Sequence, residues 1–382
     1  MRKLAIITTH PIQYYSPVFK LLHQRQQVEI RVFYTWGEAS TNKFDPGFGK
    51  KVQWDVPLLE GYPYEWVTNT SKKPGSHSFN GIVNPGLIQQ IKDYDADAIL
   101  IYGWAYASHL KTIRYFKNKI PVIFRGDSTL LDEQGGFKAV LKSVVLRWIY
   151  NHVDGVLYVG TNNKAYFKKY GLKEKQLSFA PHAVDNERFA ENRKDEAKEL
   201  RKDLGLDDKD ILILFAGKFE EKKSPLLLLD AFISMNRENI HALFAGNGVL
   251  EDELKLKADG NTNVHFMDFQ NQSYMPVVYQ ACDLFCLPSI GPAETWGLAI
   301  NEAMACQKAI LASNKVGSAI DLVKQGSNGA IFNAGLLADL VLQLNNLVDK
   351  KTEGLKLMGK ASKQIIDDWN FEKQVLAIEK AV

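Results

Sequence analysis

The sequence predicts an α/β protein built from two doubly wound domains, each with a mostly parallel sheet. Its length of 382 residues exceeds what a single hydrophobic core usually supports. Short β-branched runs alternate with helical patterns, which is the βαβ rhythm of parallel sheets. The rhythm stops in a charged stretch at residues 186–210 and then starts again. These three observations together favour two domains over one.

The predicted strands form two series. The first series comprises residues 4–8, 28–34, 98–102, 122–124 and 155–159, and the second comprises residues 211–216, 241–245, 264–266, 284–287 and 309–312. We place the linker in the charged stretch, so that the domains cover residues 1–190 and 191–367. We expect the C-terminal strand edges of the two domains to face each other across a cleft, where small-molecule sites usually lie.

Composition excludes several classes of protein. The 47 basic and 44 acidic side chains leave a net charge of +3, and without a dominant basic patch this balance argues against nucleic-acid binding. Cys282, Cys286 and Cys306 lie in apolar sequence without metal-ligand spacing, which predicts buried, reduced thiols and a cytoplasmic protein. The apolar run at 4–7 is too short for a signal peptide, and no run reaches the roughly 18 residues of a membrane span.

The most informative segment joins Glu294 to Glu302, between a predicted strand and a predicted helix. Trp296, Gly297 and Leu298 at the helix start offer unpaired backbone N–H groups and the positive end of the helix dipole, and glycine allows a phosphate to approach closely. Glu302 lies about 7.5 Å along the helix from Gly297, a reach that suits the ribose of a nucleotide whose diphosphate caps the helix. The alternative is that Glu302 is a solvated helix residue and that Glu294 is a charge at the helix start favoured by the helix dipole.

The loop after the strand at 211–216 contains Gly217, Lys218 and Lys223. Ser224 suits an N-cap and Pro225 the first helical position, so the lysines precede a well-specified helix. Their ammonium groups could neutralise a diphosphate through charge-assisted hydrogen bonds. The alternative is a pair of solvated surface lysines.

These motifs resemble family 4 glycosyltransferases, in which Gly217-Lys218 with Lys223, a Gly-Asn-Gly turn at 246–248 and the Glu-x7-Glu segment occur in the same order. Residues 181–185 resemble the family's interdomain segment. Trp369 and Phe371 resemble its C-terminal crossover, which implies a crossover helix at about 368–382 on the N-terminal domain. The resemblance therefore implies a GT-B fold, with two Rossmann-like domains across a cleft, and a retaining glycosyltransferase.

The resemblance also implies roles for single residues. Lys218, which replaces the family's usual arginine, and Lys223 would contact the donor diphosphate, Glu302 the ribose and Glu294 the donor sugar. Lysine at position 218 keeps the charge but loses the bidentate fork of arginine. Gly217, Asn247 and Phe269 are further candidates for donor binding, since residues 264–270 resemble the segment that frames the base. Asp268 stands there where glycine is common.

In the first domain the candidates are His10 and Asp127. His10 follows the first strand and could contact sugar or diphosphate, or could be satisfied by local hydrogen bonds in its loop. Arg125 and Asp127 follow the strand ending at 124, where many family members have a functional histidine that is absent here. Either could substitute for it, or the two could form a surface pair.

The sequence predicts neither a metal nor a cofactor. Asp93 and Asp95 have a metal-binding spacing, but they precede a strand and so lie at the wrong sheet edge. The turn at 246–248 continues to Glu251 where a dinucleotide fingerprint requires glycine or alanine, which disfavours a dehydrogenase. The nucleotide sugar is then a substrate, and UDP is the nucleotide we expect.

A predicted helix at residues 137–150 places five apolar residues near one face and surrounds them with Lys138, Lys142 and Arg147. The five apolar residues are Phe137, Leu141, Val144, Val145 and Trp148. Such a helix either lies on an anionic membrane or covers the domain's own sheet.

The function predicted from the sequence is metal-independent, retaining transfer of a hexosyl group from a UDP-sugar to a hydroxyl of a saccharide or lipid-linked glycan. We expect a cytoplasmic protein, with peripheral contact at the inner face of the membrane as an option. The alternatives are a nucleotide-sugar epimerase of similar fold and a non-catalytic GT-B-like binding subunit.

Overall fold

The structure is a computed structural model that describes residues 1–42, 44–45, 50–51 and 53–382. It divides into two compact units. The first unit takes the described residues of Met1–Lys43, Val52–His182 and Phe371–Val382, and the second takes those of Phe44–Lys51 and Ala183–Asn370.

The first unit contains a parallel sheet of seven strands, which are β1 (Lys3–Thr8), β2 (Glu29–Tyr34), β5 (Tyr64–Trp66), β6 (Ala98–Tyr102), β7 (Val122–Arg125), β8 (Gly155–Tyr158) and β9 (Leu177–Phe179). Their order in the sheet is β5-β2-β1-β6-β7-β8-β9. Two short antiparallel strands, β3 (Phe44–Asp45) and β4 (Lys50–Lys51), form a separate sheet that is assigned to the second unit. The central strands are apolar on both faces because helices cover both sides of a parallel sheet.

The helices of the first unit are α1 (Ser16–Arg25), α2 (Leu87–Asp93), α3 (Ala107–Phe116), α4 (Phe137–Tyr150) and α5 (Thr161–Lys169). The last helix of the chain, Phe371–Ala381, also belongs to this unit and packs on α1. Arg25 at the end of α1 binds Glu379 at 2.8 Å, while Val375 and Ile378 enter the core under β1 and β2. Apolar burial and an ion pair thus fasten the C-terminal segment to the first unit.

The second unit contains a six-stranded parallel sheet with the order β12-β11-β10-β13-β14-β15. Its strands are β10 (Ile211–Ala216), β11 (Ile240–Ala245), β12 (Val264–Met267), β13 (Leu284–Leu287), β14 (Ala309–Ser313) and β15 (Gly329–Phe332). Its helices are α6 (Asn186–Ala190), α7 (Lys194–Asp203), α8 (Pro225–Met235), α9 (Glu251–Lys257), α10 (Met275–Ala281), α11 (Leu298–Ala305), α12 (Ala319–Leu322), α13 (Leu337–Val348) and α14 (Lys351–Ile366). The last helix of the first unit, Phe371–Ala381, is α15.

The predicted fold class of two parallel-sheet α/β domains is confirmed, and all ten predicted strands are present within one or two residues of their predicted ends. The charged stretch at 186–210 is less irregular than its composition indicated, because α6 and α7 form within it. Ser224 precedes α8 as expected, but its side chain makes no capping hydrogen bond and its φ of 53° is left-handed. Ser224 therefore occupies the predicted N-cap position without capping the helix through its side chain, and Pro225 begins the helix as predicted.

Candidate active site

Five loops of the second unit meet at one edge of its sheet. They follow β10, β11, β12, β13 and β14, and the C-terminal ends of parallel strands lie along the same edge. These loops contain every residue that the sequence proposed for donor binding in this unit, apart from Leu298 and Glu302 on α11. The backbone joins two of the loops directly, because the amide of Ile290 donates to the carbonyl oxygen of Lys222 at 2.9 Å.

Glu294 is a buried carboxylate held by two partners. Only 8% of the residue is exposed. Its Oε2 accepts a hydrogen bond from Ser289 Oγ at 2.9 Å and forms an ion pair with the ammonium of Lys223. A carboxylate removed from water to this extent needs such partners to offset the cost of its desolvation. The alternative of a solvated surface lysine is therefore wrong for Lys223, whereas neighbouring Lys222 is half-exposed and pairs with Glu220.

Gly297 begins α11 in a conformation that few other residues adopt. Its φ is +86°, and an added Cβ would lie 2.7 Å from Val316 Cγ1 and 2.9 Å from Leu287 Cδ2. Both the backbone angle and the packing require glycine at this position. The amide of Ile300 donates to the carbonyl oxygen of Gly297 at 2.9 Å, and the amides of Leu298 and Ala299 precede this first hydrogen bond of α11. This end of the helix therefore presents donors and a positive dipole at the sheet edge.

A second glycine, Gly317, fixes the course of the Glu294 loop from the neighbouring strand end. Its amide donates to the carbonyl oxygen of Glu294 at 3.0 Å, and the amide of Ser318 donates to that of Trp296 at 2.9 Å. A Cβ on Gly317 would lie only 1.7 Å from the carbonyl oxygen of Thr295. The loop after β13 thus depends on a close backbone approach by the loop after β14.

Glu302 lies one turn into α11 and is only 4% exposed. The hydroxyl of Tyr279 on α10 donates to its Oε2 at 2.8 Å. Glu302 is therefore not a solvated helix residue, and the Tyr279 hydrogen bond orients its carboxylate. A carboxylate fixed in this way can accept hydrogen bonds from a pair of vicinal hydroxyls.

The indole of Trp296 packs inside the second unit. It lies 5.3 Å from the ring of Trp369 between centroids, and its Nε1 donates to Asn301 Oδ1 at 2.9 Å. The residue is 4% exposed. The side chain therefore anchors the loop, and a donor contact by Trp296 would come from its backbone, as the sequence indicated.

Asn247 connects the loops after β11 and β12. Its Oδ1 accepts from the amide of Phe269 at 2.9 Å, and its Nδ2 donates to Asp268 Oδ1 at 2.9 Å and to Glu251 Oε2 at 3.0 Å. The side chain thus shapes the segment around Phe269. Gly217 also belongs to this part of the edge. Its carbonyl oxygen lies close to Gly246, and a Cβ added to Gly246 would come within 1.9 Å of that oxygen.

The first-unit candidates lie at the C-terminal edge of their own sheet. His10 Nδ1 and Thr9 Oγ1 are 2.8 Å apart, and the His10 ring meets Trp36 edge-on at 5.3 Å. The local hydrogen bond considered for His10 therefore exists. Asp127 is half-exposed, and its Oδ2 lies 3.8 Å from Nε2 of buried His182. Burial lowers the pKa of His182 below its usual value.

Arg125 serves the structure of the first unit. It is 2% exposed, and its guanidinium donates to the carbonyl oxygens of Ala180 at 2.8 Å and Pro181 at 3.2 Å. These contacts hold the segment that leads to His182. Of the two residues considered as replacements for the family's histidine, Asp127 is the one whose side chain reaches solvent.

The three cysteines are free and buried, as predicted. Burial raises the pKa of the Cys282 thiol to about 12, which leaves it protonated and a poor nucleophile. Across residues 1–42, 44–45, 50–51 and 53–382, no group of three or more His, Cys, Asp or Glu side chains is placed to hold a metal ion. Over the same ranges, no helix combines the length and the apolar character that a membrane crossing demands.

Sequence reasoning did not single out the residues that support the site. Tyr279 and Ser289 orient the two glutamates, Gly317 fixes the loop between them, and His182 faces Asp127. Gly317 could have been identified from its position after a predicted strand, which is the position that drew attention to Gly217. Tyr279 and Ser289 act through tertiary contacts that leave no local sequence pattern.

Comparison with known proteins matches the second unit to one family. Residues 196–365 match the family model described as Glycosyl transferases group 1. The alpha-galactosylglucosyldiacylglycerol synthase of Streptococcus pneumoniae is 25% identical over 183 residues, which cover 45% of this chain and 47% of the relative. The D-inositol 3-phosphate glycosyltransferase of Rhodococcus opacus is 25% identical over 195 residues, which cover 48% and 42% respectively. The aligned region thus spans less than half of each relative.

Solved structures match the whole chain. Anabaena Alr3699/HepE in complex with UDP has a TM-score of 0.74 and 18% identity, with 100% of this chain and 99% of that chain covered. WaaG, a glycosyltransferase involved in lipopolysaccharide biosynthesis, has a TM-score of 0.68 and 14% identity, with 99% and 98% covered. The GT-B fold is therefore confirmed, and residues 196–365 are similar to the glycosyl transferases of group 1.

Proposed function

We propose that this GT-B chain is a retaining glycosyltransferase that moves a sugar from a nucleoside-diphosphate sugar, with UDP as the nucleotide, to a hydroxyl acceptor. The observation that supports the proposal best is the arrangement of two buried carboxylates, Glu294 and Glu302, on either side of the α11 N-terminus. Carboxylates accept hydroxyl hydrogen bonds, and a helix N-terminus binds anions. A molecule with two hydroxylated rings joined by a diphosphate has the matching order of groups.

In this proposal each group of the site has a separate role. Glu302, oriented by Tyr279, accepts the ribose hydroxyls, and the α11 amides next to Gly297 receive the diphosphate. Lys223 can serve sugar and phosphate together, because an ammonium has three donors and its contact with Glu294 uses only part of them. Lys218 adds a second positive charge to the same edge. Glu294 accepts hydroxyl hydrogen bonds from the transferred sugar.

The chemistry we propose is front-face attack by the acceptor hydroxyl as the bond from the sugar to the diphosphate breaks. Negative charge then develops on the leaving diphosphate, where Lys223, Lys218 and the helix dipole would stabilise it. Donors held in place before the reaction stabilise such charge most effectively. The leaving phosphate oxygen takes the acceptor proton, so the mechanism requires neither a side-chain nucleophile nor a metal.

The nucleotide and the acceptor are proposed from the neighbours. HepE has been solved with UDP and with UDP-glucose, which supports a UDP-sugar donor. The Streptococcus relative is named for a glycosylated diacylglycerol and the Rhodococcus relative for an inositol phosphate. A saccharide or a lipid-linked glycan is the acceptor class we propose, and His10 and Asp127 of the first unit are candidates for contacts with sugar or acceptor.

The experiment screens nucleotide sugars for transfer or hydrolysis with wild type, Glu302→Ala and Lys223→Ala. Lys222→Ala is the matched control, since Lys222 is the half-exposed neighbour that pairs with Glu220 instead of Glu294. We expect losses of about a hundredfold or more for the first two variants and little change for the control. Unchanged activity in both site variants would overturn the assignment.

Two alternatives give different products in the same screen. An epimerase would return an isomerised donor without any acceptor product, and a non-catalytic subunit would bind donor or partner without turnover. Metal independence is tested with excess chelator. Complete loss of activity that Mg²⁺ or Mn²⁺ restores would contradict it.

A further inference from the structure

Helix α4 of the first unit presents an apolar face to solvent. Six large apolar side chains on this helix are between 43% and 85% exposed. They define the α4 face: Phe137, Val140, Leu141, Val144, Val145 and Trp148. Only Leu146, Ile149 and Tyr150 of the helix are buried against the unit. The sequence left open whether the apolar side covers the sheet, and the structure shows that it does not.

The exposed residues form one continuous stripe. At about 100° per residue, the α4 face lies opposite the buried residues Leu146 and Tyr150. Basic residues border the stripe on both sides, with Lys138 and Lys142 along one side and Arg147 along the other. The helix contains no aspartate or glutamate. An apolar stripe between two basic borders is typical of helices that lie in a membrane interface.

Little negative charge in the folded unit offsets the basic borders. The carboxylate of Glu133 lies 3.7 Å from the ammonium of Lys142, and it also pairs with Lys169. Lys138 meets no carboxylate in the part of the chain that the structure describes. On the neighbouring helix α3, Arg114 lies 5.3 Å from the centre of the Trp148 ring and adds a further positive charge beside the face.

We propose that the α4 face docks the protein on the surface of an anionic phospholipid bilayer. The apolar side chains enter the boundary between headgroups and acyl chains, while the lysines and arginines contact lipid phosphates. A second copy of this chain is disfavoured as the partner of the α4 face. A two-fold contact through this face would bring the basic borders of the two copies against each other, and their like charges would repel. Docking does not depend on the donor chemistry proposed above.

The position of α4 gives the docking a further consequence. The helix follows the loop after β7, so its N-terminal end lies toward the C-terminal edge of the sheet, where Asp127 and His10 are found. A glycan attached to a lipid of the same bilayer would thus be held on the side of the unit that bears these residues. This consequence, unlike the docking, rests on the proposed function.

The test is flotation of the full chain with vesicles of phosphatidylcholine alone and with equal parts of phosphatidylcholine and phosphatidylglycerol. The variant Val140→Ser, Leu141→Ser, Val144→Ser removes the centre of the α4 face. Its matched control is Leu256→Ser, Leu342→Ser, Leu357→Ser, which changes three exposed leucines on α9, α13 and α14. All six positions are exposed, so both variants should fold, and an unchanged melting temperature checks this.

We expect the wild type and the control to float with anionic vesicles and to bind neutral vesicles more weakly. The α4 variant should lose at least about tenfold in apparent affinity, and added salt should weaken binding of the wild type. Donor hydrolysis in solution should be the same in both variants. Absence of binding to anionic vesicles, or equal binding by the α4 variant, would overturn the proposal. So would a concentration-dependent dimer that the α4 variant abolishes, because the face would then cover a second copy.

Discussion

The ion pair between Lys223 and Glu294 can be tested by a double-mutant cycle of Lys223→Met, Glu294→Gln and the combined variant. The two side chains are 21% and 8% exposed, so the pair is closer to the protein interior than to water. Two opposite charges about 4 Å apart interact by about 1 kcal/mol in water and about 4 kcal/mol at an effective dielectric constant of 20. Desolvation offsets part of this energy, and we expect a coupling free energy of about 2 kcal/mol.

The single variants should differ in their cost. Lys223→Met leaves the buried carboxylate of Glu294 with its hydrogen bond from Ser289 but without a positive charge, and should lower the free energy of unfolding by about 3 kcal/mol. Glu294→Gln leaves a lysine that can turn toward solvent, so its cost should be about 1 kcal/mol. The free energies come from urea unfolding followed by tryptophan fluorescence and linear extrapolation. The larger loss of stability for Lys223→Met than for Glu294→Gln is a second, independent indication that the carboxylate is the more deeply buried charge of the pair.

The control cycle uses Lys222→Met and Glu220→Gln, a neighbouring pair at 3.2 Å that is 40% and 27% exposed. A pair this open to solvent should couple by less than about 1 kcal/mol. A coupling free energy below about 0.5 kcal/mol for Lys223 and Glu294 would refute the reasoning, since the buried pair would then behave like a surface pair.

Three further predictions concern the support of the site and of the fold. Gly317→Ala should lower the free energy of unfolding by about 3 kcal/mol, because its Cβ meets a backbone oxygen at 1.7 Å. Gly86→Ala is the control, because a Cβ at position 86 would meet open space and the φ of −84° suits any residue; it should change the free energy of unfolding by less than about 0.5 kcal/mol. Equal losses of stability for the two variants in urea titrations would contradict the prediction. Tyr279→Phe should weaken binding of a UDP-sugar by about tenfold in calorimetry, because Glu302 loses its orienting hydrogen bond, and unchanged affinity would show that this bond is dispensable. Burial lowers the pKa of His109 to about 4 in the folded protein, whereas in the unfolded chain we expect the ordinary pKa of about 6.5. As the pH falls from about 6.5 toward 4, the imidazole of His109 therefore takes up a proton in the unfolded chain but not in the folded protein. Stability should fall by about 3 kcal/mol from this group between pH 7 and 4, and His109→Gln should flatten the pH dependence of urea unfolding, whereas an equal slope would contradict it.

Strand positions could be predicted from the sequence because apolar β-branched runs are a local signal. The two sheets, their parallel strands and the loop around Glu294 all follow from this pattern. The strands of the two large sheets that were missed, β5, β9 and β15, have three or four residues each and lie at the sheet edges. A run this short carries too little periodicity to distinguish a strand from a loop.

Contacts between loops could not be predicted in the same way. Lys223 and Glu294 were assigned separately to diphosphate and sugar, and only the fold shows that they meet. Tyr279 is an aromatic residue on an apolar helix, and its role appears only once α10 and α11 are packed together. The exposure of α4 is a similar case, because periodicity defines a face but does not say what the face meets.

We propose that the strand-end loops of the second unit bind a nucleotide sugar. Calorimetric titration of UDP-glucose and UDP into wild type, Glu302→Gln and the exposed control Glu353→Gln tests it most directly. We expect one site per chain, a loss of at least about tenfold in affinity for Glu302→Gln and wild-type affinity for the control. Binding of the same strength in Glu302→Gln, or no heat from either ligand or any other nucleotide sugar with the wild type, would contradict it.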